Sequence, residues 1–173
     1  APFPWEDRIL VLGQVASALA HIHSRSIVHR DLNCSNVLLR NSPPGPPAAV
    51  IADFGLARHF GDRAIRSLTP LGSVVSESDR FWHAPELVDG DVAPQLDVYA
   101  LGALILEVAR RRIPGELELL QLAAEKTSSG RVLDMVGRCC QADVASRPKA
   151  RRISAEMDTW GVADGEKADE RRG

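Results

Sequence analysis

Apolar residues recur along the chain with two spacings. From Trp5 to Ser24, Ile9, Leu12, Ala16 and Leu19 fall on one helical stripe, and Val11, Val15, Ala18 and Ile22 on an adjoining one. Two adjoining stripes make a wide apolar face, which predicts a deeply packed helix. "VLL" (Val37–Leu39) and "AVIA" (Ala49–Ala52) are short and rich in β-branched residues, and they read as two strands. "NSPPGPP" (Asn41–Pro47) between them is turn chemistry, so the pair forms a small hairpin. Gln95 to Arg112 is apolar nearly all round, as a core helix is. Glu116–Lys126, Val132–Gln141 and Pro148–Trp160 read as three further helices, and Pro85 suits the first turn of a short one. The order predicts a mainly α fold with one small β-hairpin.

One long segment has neither spacing. Ala57 to His83 contains Ser67, Thr69, Ser73, Ser76 and Ser78 and shows no sustained period. An aperiodic stretch of that length inside a domain is commonly functional or disordered. The tail, Ala163–Gly173, is charged and reads as disordered. The sequence shows no internal repeat.

Composition narrows the function classes. The chain has 173 residues, 45% of them hydrophobic, which suits one domain or a large part of one. Lys and Arg number 21 against 23 Asp and Glu, a net charge of −2. That balance argues against a polyanion-binding face, so no nucleic-acid partner is expected. Cys34, Cys139 and Cys140 make neither a disulfide framework nor a zinc spacing. They read as reduced thiols, and the expected compartment is the cytoplasm. The longest uncharged apolar run, "VYALGALIL" (Val98–Leu106), falls short of the about 20 residues that span a bilayer. The opening "APFPWEDRIL" has no signal-peptide pattern, and the lack of an initial Met reads as a fragment.

The candidate chemistry lies in "VHRDLNCSNVLL" (Val28–Leu39), which sets polar residues between apolar flanks. Taken singly, Asp31, Asn33 and Asn36 are turn residues and Asp53 is a strand-end cap. Taken together they form an ordered set. His29-Arg30-Asp31-Leu32 with Asn36 has the spacing H-R-D-L-x-x-x-N, Asp53-Phe54-Gly55 is D-F-G, and Ala84-Pro85-Glu86 is A-P-E. "DVYALG" (Asp97–Gly102) and Arg147-Pro148 follow. In this order the motifs resemble the signature of the eukaryotic protein kinases. The resemblance runs from Trp5 to Trp160 and is to their C-terminal lobe. It implies a partial kinase domain over residues 1–162, followed by the tail. No glycine-rich loop and no strand lysine precede Trp5, so the N-terminal lobe reads as absent.

The resemblance implies phosphoryl transfer from ATP, with Mg²⁺, to Ser or Thr hydroxyls, or to Tyr hydroxyls, of a protein substrate. Asp31 would accept or orient the hydroxyl proton. Asn36 and Asp53 would supply oxygens to the metal. Leu38 matches the position under the adenine. His29 and Phe54, with Gly55 beside them, resemble the residues that couple the two loops. Glu86 and Arg147 match a buried ion pair, and Asp97 the helix-start carboxylate that holds the catalytic-loop backbone. Arg30 matches an arginine that binds a phosphorylated activation loop. "GSVVS" (Gly72–Ser76) favours Ser73 as that phosphosite, with Thr69, followed by Pro70, as runner-up.

Two features depart from the common pattern. Asn33 stands where most serine/threonine kinases have lysine. "HRDLN" with "ADFGLAR" resembles the LIM-kinase and testis-specific-kinase branch of the tyrosine-kinase-like group, where that lysine is also replaced. Asp79 stands where Thr or a small polar residue is expected. The alternative reading is therefore a pseudokinase or kinase-lobe fragment that binds partners without catalysis. His21, His23, His59 and His83 read as packing or surface residues, and Trp5, Trp82 and Trp160 as core anchors.

Overall fold

The computed structural model describes residues 3–40, 45–60, 80–89, 93–112, 121 and 130–160. Four helices and two small antiparallel sheets account for the regular elements among them. Helix α1 runs from Trp5 to Ser24 as the apolar stripes predict. It follows Pro4 in extended backbone, with Glu6 and Asp7 in its first turn and His21 and His23 in its last. Acidic residues at the N-terminus complement the helix dipole, as histidines do at the C-terminus when protonated. Its buried residues, Ile9, Val11, Leu12, Val15, Ala16 and Leu19, belong to the two predicted stripes.

Strand β1 (Ile27–Val28), β2 (Val37–Arg40), β3 (Ala48–Ile51) and β4 (Arg58–His59) pair as β1–β4 and β2–β3. The second pair is the predicted hairpin, in register Val37↔Ile51 to Arg40↔Ala48. Ile51 is buried and its partner Val37 half-buried, while Leu38 and Val50 on the other face are exposed, as is Leu39 further along β2. Gln14 of α1 ties the hairpin down. Its Nε2 donates to Pro47 O at 3.2 Å, and its Oε1 accepts from Ala49 N at 2.6 Å. The β1–β4 pair is only two residues long in each strand, too short to leave an alternation in the sequence.

Helix α2 (Pro94–Arg110) starts with Pro at its first turn and is buried without a break from Leu96 to Leu106. It begins one residue before the predicted helix and ends earlier, because Arg111 turns left-handed at φ 56°. Helix α3 (Arg131–Cys139) packs against α2, and α4 (Ala150–Met157) against α1. Pro148 lies outside α4 because Lys149 is extended, and the chain leaves the helix at Asp158 in a turn that ends at the buried Trp160. Pro85–Asp89 forms a short 3₁₀ turn where a short helix was expected. The predicted helix Glu116–Lys126, apart from residue 121, lies outside the described residues, as do Thr69, Ser73, Asp79 and the tail. Among the described residues no helix is long and apolar enough to cross a membrane.

Helix α2 and the end of α3 come close together at Gly102. A Cβ there would lie 2.7 Å from Cys139 Cβ and 2.7 Å from Cys140 Sγ. Both cysteines are buried, and burial pushes the Cys139 thiol up to about 12. They serve as small packing groups between α2 and α3. Gly102→Ala should therefore overpack this seam and cost about 2 kcal/mol. Chemical denaturation should show the loss, and an unchanged midpoint would contradict the packing account.

Candidate active site

Asp97 lies in the first turn of α2 and is 1% exposed. Its Oδ2 accepts from His29 N at 2.8 Å, and its Oδ1 accepts from Arg30 N at 2.7 Å. His23, from the last turn of α1, donates through Nε2 to the same Oδ2 at 2.8 Å. A buried carboxylate needs such partners, and bonds to an ionised acceptor are the stronger kind. This bracket holds Arg30 at φ 70°, a left-handed conformation that costs a non-glycine residue about 1 kcal/mol.

The next residues form a closed hydrogen-bonded loop. Asp31 N donates to His29 Nδ1 at 3.3 Å. His29 Nδ1 is therefore the acceptor, and Nε2 carries the proton that it donates to Ala52 O at 2.9 Å. The His29 ring meets Phe54 edge-on with centroids 4.9 Å apart. Asn33 caps the 3₁₀ turn Cys34–Asn36, accepting from Ser35 N at 2.9 Å and Asn36 N at 3.2 Å. Its Nδ2 donates to Asp31 Oδ1 at 3.2 Å and to Asp31 O at 3.3 Å. Asn36 Nδ2 donates to Asp31 Oδ2 at 2.9 Å and to Asp31 O at 2.7 Å. Each oxygen of the half-buried Asp31 carboxylate is thus held by a neutral amide.

Asn36 also joins this loop to the other strand of the hairpin, since its O accepts from Ala52 N at 2.8 Å. Asp53 follows in left-handed backbone, φ 58° and ψ 75°, and its Oδ1 accepts from Gly55 N at 3.1 Å. A Cβ on Gly55 would lie 3.1 Å from that same oxygen, so glycine leaves room for the turn. Asp31, Asn36 and Asp53 are therefore brought to one end of the hairpin. Leu38 lies beside them on its outward face, 56% exposed.

The other residues singled out from the sequence build the wall below. Arg147 pairs with Glu86 through two bonds, at 2.5 Å and 3.0 Å, and also donates to Gln141 O and Gln95 O. Its guanidinium lies 5.1 Å over the Tyr99 ring. Trp82 Nε1 donates to Glu107 Oε2 at 2.9 Å. Burial, with Glu107 alongside, pushes the Cys34 thiol upward, which disfavours its thiolate.

Four participants were not legible in the sequence. His23 reads there as a packing residue and here bonds Asp97. Arg58 acts on Arg30, whose guanidinium is pushed down chiefly by burial and then by Arg58. His83 places Nε2 3.9 Å from Asp31 Oδ1. Glu107 is a lone carboxylate toward the end of an apolar helix, the one sequence signal among the four.

The motifs thus meet in space as well as in order, and the model of the family described as "Protein kinase domain" matches residues 2–157. This chain belongs to the protein kinase family. Among curated relatives, the "L-type lectin-domain containing receptor kinase S.7" of Oryza sativa subsp. japonica is 35% identical over 185 residues, 91% of this chain and 25% of that protein. The "L-type lectin-domain containing receptor kinase I.3" of Arabidopsis thaliana is 37% identical over 118 residues, 66% of this chain and 16% of that protein. A probable serine/threonine-protein kinase of Dictyostelium discoideum is 30% identical over 116 residues, 66% of this chain and 18% of that protein. The kinase chain described here spans a quarter or less of the length of these relatives.

Asp97→Ala should strip the acceptor from two backbone N–H groups and from His23 at once. The expected loss is about 3 kcal/mol of stability, read by denaturant unfolding. Asp97→Asn keeps one acceptor oxygen and should cost less. Equal stability of the alanine variant and the parent would show that the bracket contributes nothing.

Proposed function

We propose that this chain is the C-terminal lobe of a serine/threonine protein kinase and that its site transfers the ATP γ-phosphoryl to a hydroxyl of a protein substrate. The observation that carries the reading is the junction at Asn36, whose side chain holds Asp31 while its carbonyl bonds the backbone beside Asp53. Asp31 is the group that accepts or orients the substrate hydroxyl proton. Asn33 and Asn36 aim its carboxylate, since both donate to it.

The oxygens present fit Mg²⁺. The Asn36 amide donates only through Nδ2, which leaves Oδ1 open, and Asp53 keeps Oδ2 open in an exposed side chain. Among the described residues no cluster of three His, Cys, Asp or Glu side chains could cage a metal. That suits an ion held by one or two protein oxygens with phosphates and water completing its shell. Bound Mg²⁺ would supply charge neutralisation to the transferred phosphoryl group. Leu38 offers an apolar surface to the adenine.

Burial first, and then Arg58 nearby, depress the Arg30 guanidinium, and Arg30 Nε is buried without a hydrogen-bond partner. Two crowded guanidiniums are suited to a phosphate dianion, and we assign them to a phosphorylated Ser73, with Thr69 as runner-up. The LIM-kinase and testis-specific-kinase branch is favoured by "HRDLN" and "ADFGLAR" alone. Three unpaired thiols fit a cytoplasmic setting.

Two tests follow, both with the chain joined to an ATP-grasping N-terminal lobe. Asp31→Asn should lower single-turnover transfer about 10²–10⁴-fold and leave Mg-ATP affinity near the parent's. Asp53→Asn should weaken Mg-ATP binding and transfer together. If the parent transfers nothing and Asp31→Asn changes nothing, the chain is a kinase-like binding module. In the second test, Ser73→Ala should lower the activity of the phosphorylated enzyme about tenfold, and Arg30→Ala should remove the gain from phosphorylation. Full activity of Ser73→Ala with phosphate elsewhere on the loop would reject Ser73.

A further inference from the structure

The lysine common in serine/threonine kinases two residues after the catalytic aspartate is Asn33 here, and its side chain cannot act as a cation. It is spent in four hydrogen bonds inside the loop, to Ser35 N, Asn36 N, Asp31 O and Asp31 Oδ1. Asp31 is therefore held by amides alone from its own loop. Among the described residues, one basic group lies within ion-pair distance of that carboxylate: His83, with Nε2 3.9 Å from Oδ1. Its side chain is 14% exposed and that of Asp31 26%.

The position of His83 is set from both sides. Trp82 before it is anchored to Glu107, and Glu86 after it to Arg147. Ala84 is buried. Arg30 and Asp97 line a small void with His83. They do not compete for Asp31. Asp97 is taken up by the backbone of residues 29 and 30 and by His23. The charges acting on Arg30 are those of Arg58 and Asp97.

We infer that His83 is a positioning residue for phosphoryl transfer: its ring stands at the Asp31 carboxylate and, when it carries a proton, is the cation that Asn33 does not supply. The inference rests on the reading of Asp31 as the hydroxyl-side carboxylate. At 3.9 Å the contact is too long for a hydrogen bond, and it is a charge pair when the ring is protonated. A pair at this distance, partly open to water, changes a rate or equilibrium by about tenfold. It acts on the orientation and charge of the group that meets the acceptor, so it belongs to the transfer step and not to ATP binding.

The experiment has an arm that needs no activity. In the nucleotide-free protein, Asp31→Asn should shift the ring resonances of His83 at constant pH while leaving those of His21 and His59 in place. The kinetic arm uses the chain with an N-terminal lobe supplied and a peptide substrate under single-turnover conditions. His83→Gln should lower the transfer rate about tenfold with unchanged ATP affinity, because it keeps the polarity and removes the charge. His83→Lys should restore the rate to within about twofold. In the Asp31→Asn background, His83→Gln should cost nothing further. A His83 ring unmoved by Asp31→Asn overturns the inference. So does a His83→Gln protein as fast as the parent, or Gln and Lys variants equally slow. Absence of transfer in the parent defeats the proposed function instead, and the ring shift then decides the pairing by itself.

Discussion

A carboxylate sealed from water must have its lone pairs filled, and Asp97 fills them with the backbone of His29 and Arg30 and the ring of His23. The groups of this bracket come from three parts of the site. Helix α2 contributes the charge, α1 the imidazole, and the loop after β1 the two N–H groups. One buried side chain thereby sets the distance from the core helix to the loop that carries Asp31. Charge-assisted bonds of this kind contribute about 1.5–3 kcal/mol each. That exceeds the cost of about 1 kcal/mol for the left-handed Arg30, so the loop holds a conformation it would not adopt alone.

From that anchor the order of the site follows by short steps. His29, fixed at its backbone N–H, uses one ring nitrogen on Asp31 and the other on Ala52. Ala52 is bonded in turn to the carbonyl of Asn36, and the Asn36 amide returns to the Asp31 carboxylate. The circuit closes across both strands of the hairpin. A displacement at any member would have to move the others, which is how a few hydrogen bonds hold a carboxylate to the tolerance that catalysis requires. Asp53 stands just outside the circuit, strained and exposed, with one oxygen bound to Gly55.

A second anchor holds the segment around Ala84-Pro85-Glu86. Arg147 gives both arms to Glu86 and two further donors to backbone carbonyls. With the Trp82–Glu107 bond it sets His83 between two fixed neighbours. The two anchors act on the Asp31 carboxylate through different segments. Asp97 positions the loop that bears it, and Arg147 positions the segment that faces it.

Much of this was legible in the sequence for local reasons. Helix α1 could be read from its apolar stripes, and the hairpin from β-branched runs around a proline-rich turn, because those signals lie within the element they predict. The residue types of the site were readable too, since the ordered motifs limit what each position can be. The β1–β4 pair was not, being too short to carry a period. Nor were the partners of the key groups. His23 and Asp97 are 74 residues apart, and Arg147 and Glu86 are 61 apart. No local pattern says which imidazole reaches a given carboxylate, and His23 and His83 look alike as letters. The sequence by itself determined the elements and the chemistry on offer. Only the tertiary structure decided the pairings, because a hydrogen bond or charge pair depends on a few ångströms of separation that only the packing of α1, α2 and the loops supplies.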